Sequence, residues 1–336
     1  MVCICIPTYN VASTVGETLQ SILNQTYPNL VVHVSDNAST DDTLKIVESL
    51  EDLRVTIHRH VENIGAEGNF NCCIQLAEGK YTAIFHADDV YEPDIVEKQV
   101  AFLEANPKAG AVFTEAIQID EMGNKIGEMH LPNGIVARCN LYDFPTMLKA
   151  VLEHYNFFIC PSVMVRTNVF QQEIKCWRGE LFKSSADLDV WFRILLHHEI
   201  GYLREPLLRY RIGNNQFSAR VRLGTDRPDF FLVTEHYLAQ DKVRELLDED
   251  DLKNYRWLER RDRLMRAINE FIIGHPQQAE ALLYDVYSWD ALAAAYRTKR
   301  GFFVLLAGAY VKFLVVTGLY RLGKASLMHL KRLLNK

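Results

Sequence analysis

The stretch VCICIPTYNVASTVGETLQSILNQTYPNLVVHVSD, residues 2–36, holds two short β-rich runs on either side of one amphipathic segment. VCICIP and LVVHVSD are typical of strands, whereas TVGETLQSILNQ has the apolar spacing of a helix that ends before Tyr27-Pro28. A strand, a helix and a second strand in this order predict two parallel strands joined by a helical crossover.

The same alternation continues to about residue 116. RVTIHRH, YTAIF and AGAVFTEA predict strands, while STDDTLKIVESL, EGNFNCCIQLAEG and PDIVEKQVAFLEAN predict helices, the first capped by Ser39 or Thr40. We therefore expect an α/β fold with a mostly parallel, Rossmann-like sheet flanked by helices. After about residue 225 the pattern is mainly helical, which predicts a helical C-terminal extension.

The length of 336 residues exceeds what one small core needs, at ~150 residues per domain. We expect a first domain of residues 1–220, a helical extension of residues 221–300 and a membrane-associating tail of residues 301–336. Seven scattered cysteines indicate reduced thiols in a cytosolic enzyme rather than a disulfide framework. The start, MVCICIPTYN, lacks the basic and apolar regions of a signal peptide.

Charge is distributed unevenly along the chain. From Leu292 onward there are nine Lys or Arg and no acid, which leaves a net charge of −15 on the preceding residues. The apolar run FFVLLAGAYVKFLVVTGLY, residues 302–320, is marginal for a bilayer span of ~20 residues and contains Lys312. The following segment places Leu327, Leu330 and Leu334 on one helical face beside basic residues, as in an interfacial helix.

We therefore expect this tail to contact the cytoplasmic face of the cell membrane. The alternative is a hydrophobic helix packed within the C-terminal domain, followed by a solvated basic tail. A nucleic-acid partner is not expected, because the aromatic residues of the tail lie in an apolar run and not in a basic groove.

Three polar motifs, PTYN, SDNAST and HADD, each follow the carboxyl end of a predicted strand. Ligands of open parallel sheets bind at that edge, so we expect one crevice lined by all three motifs. Neither a G-x-G-x-x-G nor a P-loop follows the first strand. Asp36 could accept a hydrogen bond from the N–H of a nucleobase, or it could cap a helix. Tyr9 could stack on a base, or it could lie at the edge of the core. Asp88 and Asp89 could hold Mg²⁺ or Mn²⁺, or favour a helix N-terminus.

Six ordered blocks carry a resemblance to a known family. IPTYN, VSDNASTDDT, ENIGAEGNFN, AEGKYTAIFHADDVYEPD, CPSVMVR and SADLDVWFRIL resemble the inverting glycosyltransferases of family 2, which have the GT-A nucleotide-diphospho-sugar fold. The resemblance covers roughly residues 1–215, and its specificity comes from the order of the blocks. The last third of the chain shows no such resemblance.

The resemblance implies a role for individual residues. Asp187 matches the catalytic base, with Trp191 and Arg193 as the scaffold of its helix and Asp189 as a competitor for its role. Asp88 and Asp89 match the metal-binding carboxylates. The residues implied to bind the nucleotide-sugar are Pro7, Thr8, Tyr9, Asp36, Asn63, Gly65, His86, Ala87, Asp88 and Arg211.

The implied reaction is a single displacement that moves a sugar from a nucleoside-diphosphate donor, with UDP expected, to a glycan or lipid-linked acceptor. The acceptor would lose its proton to Asp187, and Mn²⁺ or Mg²⁺ at Asp88 would neutralise the departing diphosphate. The alternatives are a sugar nucleotidyltransferase, which would need a Gly-rich basic loop after the first strand, and an inactive GT-A scaffold.

Three positions depart from the pattern of the family. His86 stands where many relatives have an acid, Ala186 replaces an acid before the base, and Gly213 replaces a histidine near the phosphates. The resemblance therefore implies weaker metal binding. It also leaves Arg211 as one candidate for the phosphate contact, beside Asn214, Asn215 and Arg220.

Overall fold

The computed structural model describes residues 1–135, 138–213, 224–284, 288, 292, 299–319 and 323–329. Two compact units are present, the first formed by Met1–Val151 with Asn156–Gly213 and the second by Leu152–Tyr155 with Asn214–Lys336. The expected boundary at residue 220 lies outside the described residues, so the division into three domains stays a prediction.

The first unit alternates strands with helices, as the sequence predicts. Its strands are β1 Val2–Thr8, β2 Leu30–Asp36, β3 Val55–Arg59, β4 Tyr81–Ile84, β5 Val90–Tyr91, β6 Ala109–Ile119, β7 Lys125–Met129, β8 Leu141–Tyr142, β9 Met164–Arg166 and β10 Glu199–Arg211. The α-helices from the same part of the chain are α1 Val15–Leu23, α2 Thr43–Glu48, α3 Gly65–Leu76, α4 Ile95–Ala105, α5 Phe144–His154, α6 Gly179–Phe182 and α7 Ala186–Leu195.

The strands form one mixed sheet in the order β3-β2-β1-β4-β9-β6-β10-β5, with β7 paired to β6 and β8 paired to β10. Parallel pairing joins β3, β2, β1 and β4, and also β6 and β10. The short strand β9 runs antiparallel to both β4 and β6. The prediction of a mostly parallel sheet is thus confirmed, and β9 is an antiparallel insertion at its centre.

Both faces of β1 are covered, which explains why VCICIP is almost continuously apolar. Val2, Ile4 and Ile6 are buried in the core that includes α1. On the opposite face the Cys5 thiol donates to the carbonyl of Cys73 in α3, at 3.4 Å. Because helices cover both faces, the polar ends of these strands are the part of the sheet available to a ligand.

The helix-cap prediction for Ser39 or Thr40 is wrong. Helix α2 begins at Thr43, with Asp42 as its N-cap residue. The Ser39 hydroxyl instead donates to Asp36 Oδ1 at 2.6 Å. A buried carboxylate is a stronger acceptor than a solvated one, so this side chain serves the end of β2 rather than the helix that follows.

The described part of the second unit is mainly helical, as expected for the C-terminal extension. Its helices are α8 Phe230–Leu238, α9 Asp241–Arg244, α10 Glu249–Ile273, α11 Pro276–Leu282 and α12 Lys299–Thr317, followed by a helical segment at 323–329. A capping box with Asp248 starts α10, and Gly274 ends it at a φ of 100°. Helices α10, α11 and α12 share one apolar core.

Among the described residues, no helix combines the length and the apolar character needed to cross a membrane.

Helix α7 is fixed in the first unit by a buried carboxylate. Asp189 is fully buried and accepts from Nε and Nη2 of Arg178 and from Nε of Arg193, the last at 2.9 Å. Arg193 also donates to the carbonyls of Ile174 and Cys176, each at 2.7 Å. The charge of Asp189 is therefore neutralised by two guanidinium groups that join α7 to the segment before it.

We expect Asp189→Asn to lower the free energy of unfolding by about 3 kcal/mol, because two partly buried guanidinium groups would lose their counter-charge. Urea unfolding followed by circular dichroism measures the difference. Asp187→Asn, two residues earlier on the same helix, is the matched control and should not destabilise the protein. An Asp189→Asn protein as stable as its parent would contradict the assigned anchoring role.

Candidate active site

The ends of β1 and β2 bring Thr8 and Asp36 side by side. Their Cα atoms are partners in the parallel register, and the Thr8 hydroxyl donates to Asp36 Oδ1 at 3.1 Å. The Ser39 amide donates to Asp36 Oδ2 at 3.0 Å. Asp36 is fully buried, so these donors fix its carboxylate at the edge of the sheet. Pro7 is half-buried, and Tyr9 is 46 % exposed and not part of the core.

The block containing Asn63 and Gly65 lies beside this edge, held by Asn37. The Asn37 side chain donates to Asn63 Oδ1 at 2.9 Å and accepts from the Ile64 amide at 2.8 Å. Gly65 has a φ of +78°, which favours glycine, and its amide donates to Asn63 Oδ1. The structure thus brings Asn63 and Gly65 next to the residue that follows Asp36.

The acidic loop, residues 86–89, follows β4 and is attached to α1. The Thr14 hydroxyl donates to the Ala87 carbonyl at 2.9 Å, and the Thr18 hydroxyl donates to the Asp89 carbonyl at 2.7 Å. Ala87 is buried, and the His86 amide donates to the Tyr91 hydroxyl at 2.7 Å. These hydrogen bonds fix the backbone of the loop, and the side chains of His86, Asp88 and Asp89 lie close to one another.

One ligand atom from each of His86, Asp88 and Asp89 lies within 4.8 Å of the other two. Burial raises the pKa of Asp89 well above its usual value, and the charge of Asp88 raises it further. Burial also lowers the pKa of His86, against the opposing effect of Asp88. His86 Nε2 and Asp89 Oδ2 are buried atoms with no hydrogen-bond partner among the described residues. Two oxygens and one neutral nitrogen in this arrangement fit a divalent cation.

Arg211, the last residue of β10, supports the acidic loop. Its amide donates to Asp89 Oδ1 at 2.8 Å, and its Nε donates to the Asp88 carbonyl at 2.9 Å. Nη2 forms an ion pair with Glu17 of α1 at 2.6 Å. Arg211 is only 6 % exposed, so the structure shows a buried guanidinium that holds the loop.

A contact between Arg211 and donor phosphates stays a prediction. Asn214, Asn215 and Arg220, which the sequence offers as alternatives, lie outside the described residues. Gly213 is the last described residue before that gap.

Asp187 is half-buried in the first turn of α7. Its Oδ1 accepts from the Leu188 amide at 2.7 Å, and its Oδ2 accepts from Asn156 Nδ2 at 3.5 Å. Burial raises the pKa of Asp187 to about 6, although both hydrogen bonds act in the opposite direction. The carboxylate is thus poised to exchange a proton near neutral pH, whereas Asp189 is held between two arginines.

Aromatic contacts connect the acidic loop with α7, the helix that carries Asp187. Burial raises the pKa of the Cys160 thiol, and the charges of Asp187 and of Asp89 both raise it further. The Phe70 ring meets His86 edge-on at 5.7 Å and Trp177 at 4.7 Å. Trp177 in turn packs 6.2 Å from Trp191 of α7.

Sequence reasoning missed several residues that organise this site. Asn37 lies inside the SDNAST motif, and Phe70 and Cys160 lie inside blocks that carry the family resemblance, but sequence alone did not single these residues out. The missed residues are Asn37, Phe70, Asn156, Cys160, Trp177 and Arg178.

The sequence has relatives among characterised and uncharacterised enzymes. An uncharacterized glycosyltransferase of Methanocaldococcus jannaschii is 28 % identical over 66 % of this chain and 74 % of its own length. The UDP-Glc:alpha-D-GlcNAc-diphosphoundecaprenol beta-1,3-glucosyltransferase WfaP of Escherichia coli is 35 % identical over 31 % of this chain and 41 % of its own length.

Solved structures share the fold over almost the whole chain. TarS of S. aureus, residues 1–349 in complex with UDP-GlcNAc, superimposes with a TM-score of 0.61 at 16 % identity, covering 94 % of this chain and 92 % of that 1–349 chain. The mannosyltransferase PcManGT of Pyrobaculum calidifontis, in complex with GDP-Man and Mn²⁺, gives a TM-score of 0.52 at 20 % identity, covering 95 % and 87 %. At these identities the likeness concerns the fold alone, and it confirms the predicted GT-A architecture.

The family itself is identified by the first half of the chain. The sequence profile of Glycosyl transferase family 2 matches residues 3–173, which is about half of the protein and includes the ends of β1 and β2 and the acidic loop. The chain therefore belongs to glycosyl transferase family 2 and is a glycosyltransferase.

Proposed function

We propose that this glycosyltransferase moves a sugar from a UDP-sugar to a hydroxyl of a glycan or lipid-linked acceptor, with inversion at the anomeric carbon. The observation that carries the proposal is the aromatic contact through Phe70 and Trp177, which joins His86 of the acidic loop to Trp191 of α7, the helix that carries Asp187. A carboxyl group with a pKa of about 6 and an acid pair suited to a cation are thus connected within the first unit. We further propose a role in the synthesis of surface polysaccharide or glycoconjugates.

Related proteins support the choice of donor and acceptor. TarS has been solved with UDP-GlcNAc, and WfaP uses UDP-Glc with an acceptor carried on diphosphoundecaprenol. For this chain, we propose that the protein works at the cytoplasmic face of the cell membrane, as a peripheral or monotopic enzyme. The basic, acid-free C-terminal sequence supports this location.

The nucleotide half of the donor is assigned to the ends of β1 and β2. Asp36 accepts three protein hydrogen bonds, and a carboxylate has about four lone-pair sites, so capacity remains for one ring N–H of a base. The exposed Tyr9 ring is available for stacking on that base, which contributes roughly 1–3 kcal/mol. The ribose would lie towards Thr8 and the Asn63–Gly65 block.

The diphosphate is assigned to the acidic loop. Asp88 and Asp89, with His86, would hold Mn²⁺ or Mg²⁺, and a bound cation would supply positive charge to the leaving diphosphate. Arg211 keeps both acids in place through its bonds to Asp89 Oδ1 and the Asp88 carbonyl. The neighbour PcManGT, which has been solved with Mn²⁺, supports this assignment.

Asp187 is assigned as the base. Its carboxylate takes the proton of the acceptor hydroxyl while that oxygen forms a bond to the anomeric carbon and the bond from this carbon to the diphosphate breaks. Asn156 and the Leu188 amide orient the carboxylate for this transfer. A pKa of about 6 keeps Asp187 ionised at neutral pH and makes it a stronger base than an unperturbed aspartate.

The two alternatives receive less support. A sugar nucleotidyltransferase would need a Gly-rich basic loop between β1 and α1, and TYNVAST provides none. An inactive scaffold would have no chemical use for a half-buried carboxyl whose ionisation opposes folding, as that of Asp187 does.

We expect Asp187→Asn to reduce transfer by roughly 10²–10⁴-fold, because the amide cannot take a proton. UDP affinity, measured by calorimetry, should stay within about twofold, since Asp187 lies on the acceptor side of the proposed site. Undiminished turnover in this variant would exclude Asp187 as the base. A parallel loss of UDP affinity would instead assign it to donor binding.

The pKa of Asp187 predicts how rate and stability depend on pH. We expect kcat/KM to rise tenfold per pH unit up to about pH 6 and then to level off, because the base must be ionised in the free enzyme. Asn156→Ala should move this inflection to higher pH, since the Asn156 hydrogen bond lowers the pKa of Asp187.

The free energy of unfolding should fall over the pH range in which kcat/KM rises. The folded protein binds the Asp187 proton more tightly than the unfolded chain, so the contribution of Asp187 to stability falls as the pH rises from about 4 to about 6. Asp187→Asn should therefore raise the melting temperature above pH 6 and leave it unchanged near pH 4. Equal melting temperatures at all pH values would contradict the raised pKa.

Thermal shifts with UDP and Mn²⁺ test the assignment of the acidic loop. Ligands that bind the folded state raise its melting temperature. UDP and Mn²⁺ together should raise it more than the sum of their separate effects, because the cation at the acidic loop would also attract the diphosphate of UDP. Asp88→Ala should remove this excess and keep the shift from UDP alone. Glu48→Ala, which changes an exposed acid on α2, is the control and should behave like the parent. An excess that survives Asp88→Ala would place the cation elsewhere.

A further inference from the structure

Helix α12 has two apolar faces, and the second unit covers one of them. Val304, Ala307, Val311 and Leu314 are buried in the core shared with α10 and α11. Another set of large apolar residues on the same helix is exposed. We call this set the outer stripe: Phe302 53 %, Phe303 56 %, Leu306 50 %, Tyr310 36 %, Phe313 54 % and Val316 72 %.

The outer stripe is larger than the scattered apolar exposure of an ordinary surface. Its members recur every three or four residues, so they lie along one side of a helix that is about 28 Å long at 1.5 Å per residue. Four of the six are aromatic. Contiguous apolar patches of this kind mark surfaces that are covered in the working protein.

We propose that the outer stripe is a docking surface for an anionic lipid membrane, on which α12 lies in the plane of the interface. Charge identifies the occupant. From Leu292 to the end the sequence contains nine Lys or Arg and no acid. Three of these, Lys299, Arg300 and Lys312, belong to α12 itself, and another, Lys324, is exposed on the segment 323–329. A basic border around an apolar, aromatic strip matches anionic headgroups above acyl chains.

The structure favours a helix lying on the membrane over a helix that crosses it. The inner face of α12 is already packed against α10 and α11, so lipid can reach only the outer stripe. Lys312 lies near the middle of the apolar run, where insertion would bury its ammonium group, whereas in the interface its side chain can extend to the headgroups. Tyr and Phe rings are well suited to that interfacial depth.

A second copy of the chain is a poorer occupant. In a two-fold dimer through the outer stripe, the acid-free segments of both copies would meet, and like charges would face each other. Membrane docking of α12 extends the proposed function. Only the link between docking and a membrane-bound acceptor rests on that proposed function. Docking would hold the enzyme on the surface from which a lipid-linked acceptor projects.

Sedimentation of the full-length protein with vesicles tests the proposal. We expect binding to vesicles of phosphatidylglycerol and phosphatidylcholine, weaker binding to phosphatidylcholine alone, and a decrease with added salt. Phe303→Ser and Phe313→Ser should each weaken binding by roughly tenfold, because each removes one large apolar contact with lipid. Lys324→Glu should weaken binding to anionic vesicles by at least about fivefold.

The matched controls are Leu53→Ser and Met122→Ser. Both change side chains of the first unit that are at least as exposed, at 103 % and 84 %, and both should bind vesicles like the parent. Each variant is also checked for its melting temperature and UDP affinity, which the surface substitutions should leave unchanged. Because vesicle binding is measured without donor or acceptor, its result is independent of the proposed reaction.

Three results would overturn the proposal. The first is a parent protein that does not bind anionic vesicles. The second is a double variant Phe303→Ser/Phe313→Ser that binds them as tightly as the parent. The third is a concentration-dependent dimer, seen by analytical ultracentrifugation, that the double variant abolishes while vesicle binding is absent, and it would make the outer stripe an interface between two copies.

Discussion

The acidic loop depends on one buried cation, the guanidinium of Arg211. Through its amide and side chain this residue bonds to Asp89, to the Asp88 carbonyl and to Glu17, which lie 122, 123 and 194 positions away in sequence. A buried charge requires compensation from several partners, so the end of β10, the loop after β4 and helix α1 are fixed relative to one another. Arg211 therefore fixes the acidic loop at the carboxyl edge of the sheet, where donor binding is proposed.

The site contains acids that folding alone would not favour. Burial raises the pKa of Asp89 and of Asp187, so ionising either carboxyl opposes folding at neutral pH. The core acid Asp189 shows the contrast, because two arginines neutralise it and it anchors α7. Carboxyl groups whose burial outweighs the stabilisation from their partners are expected where a ligand or a proton transfer completes the arrangement.

The sequence predicted those features that depend on local pattern. Strand and helix periods predicted the parallel sheet, and the order of the strands predicted that the polar ends of β1, β2 and β4 lie at one edge of it. Features that depend on partners elsewhere in the chain could not be predicted. The residues next to Asp187 and Asp189 do not distinguish a candidate base from an anchor, because the difference lies in the contacts with Asn156 and Arg178. The prediction that Ser39 caps α2 failed for the same reason, since Asp36 is a buried acceptor and competes for its hydroxyl.

The apolar run that became α12 shows a further limit of pattern analysis. A helix with one apolar face has a clear hydrophobic period, but a helix with two apolar faces resembles a uniformly apolar span. The sequence therefore left a membrane helix and a packed helix as alternatives for residues 302–320. The structure shows that packing accounts for only one face, the one containing Val311 and Leu314, and Phe303 and Phe313 remain outside it. Packing fixes the helix to the protein and, by doing so, orients the remaining aromatic side chains outward as one surface.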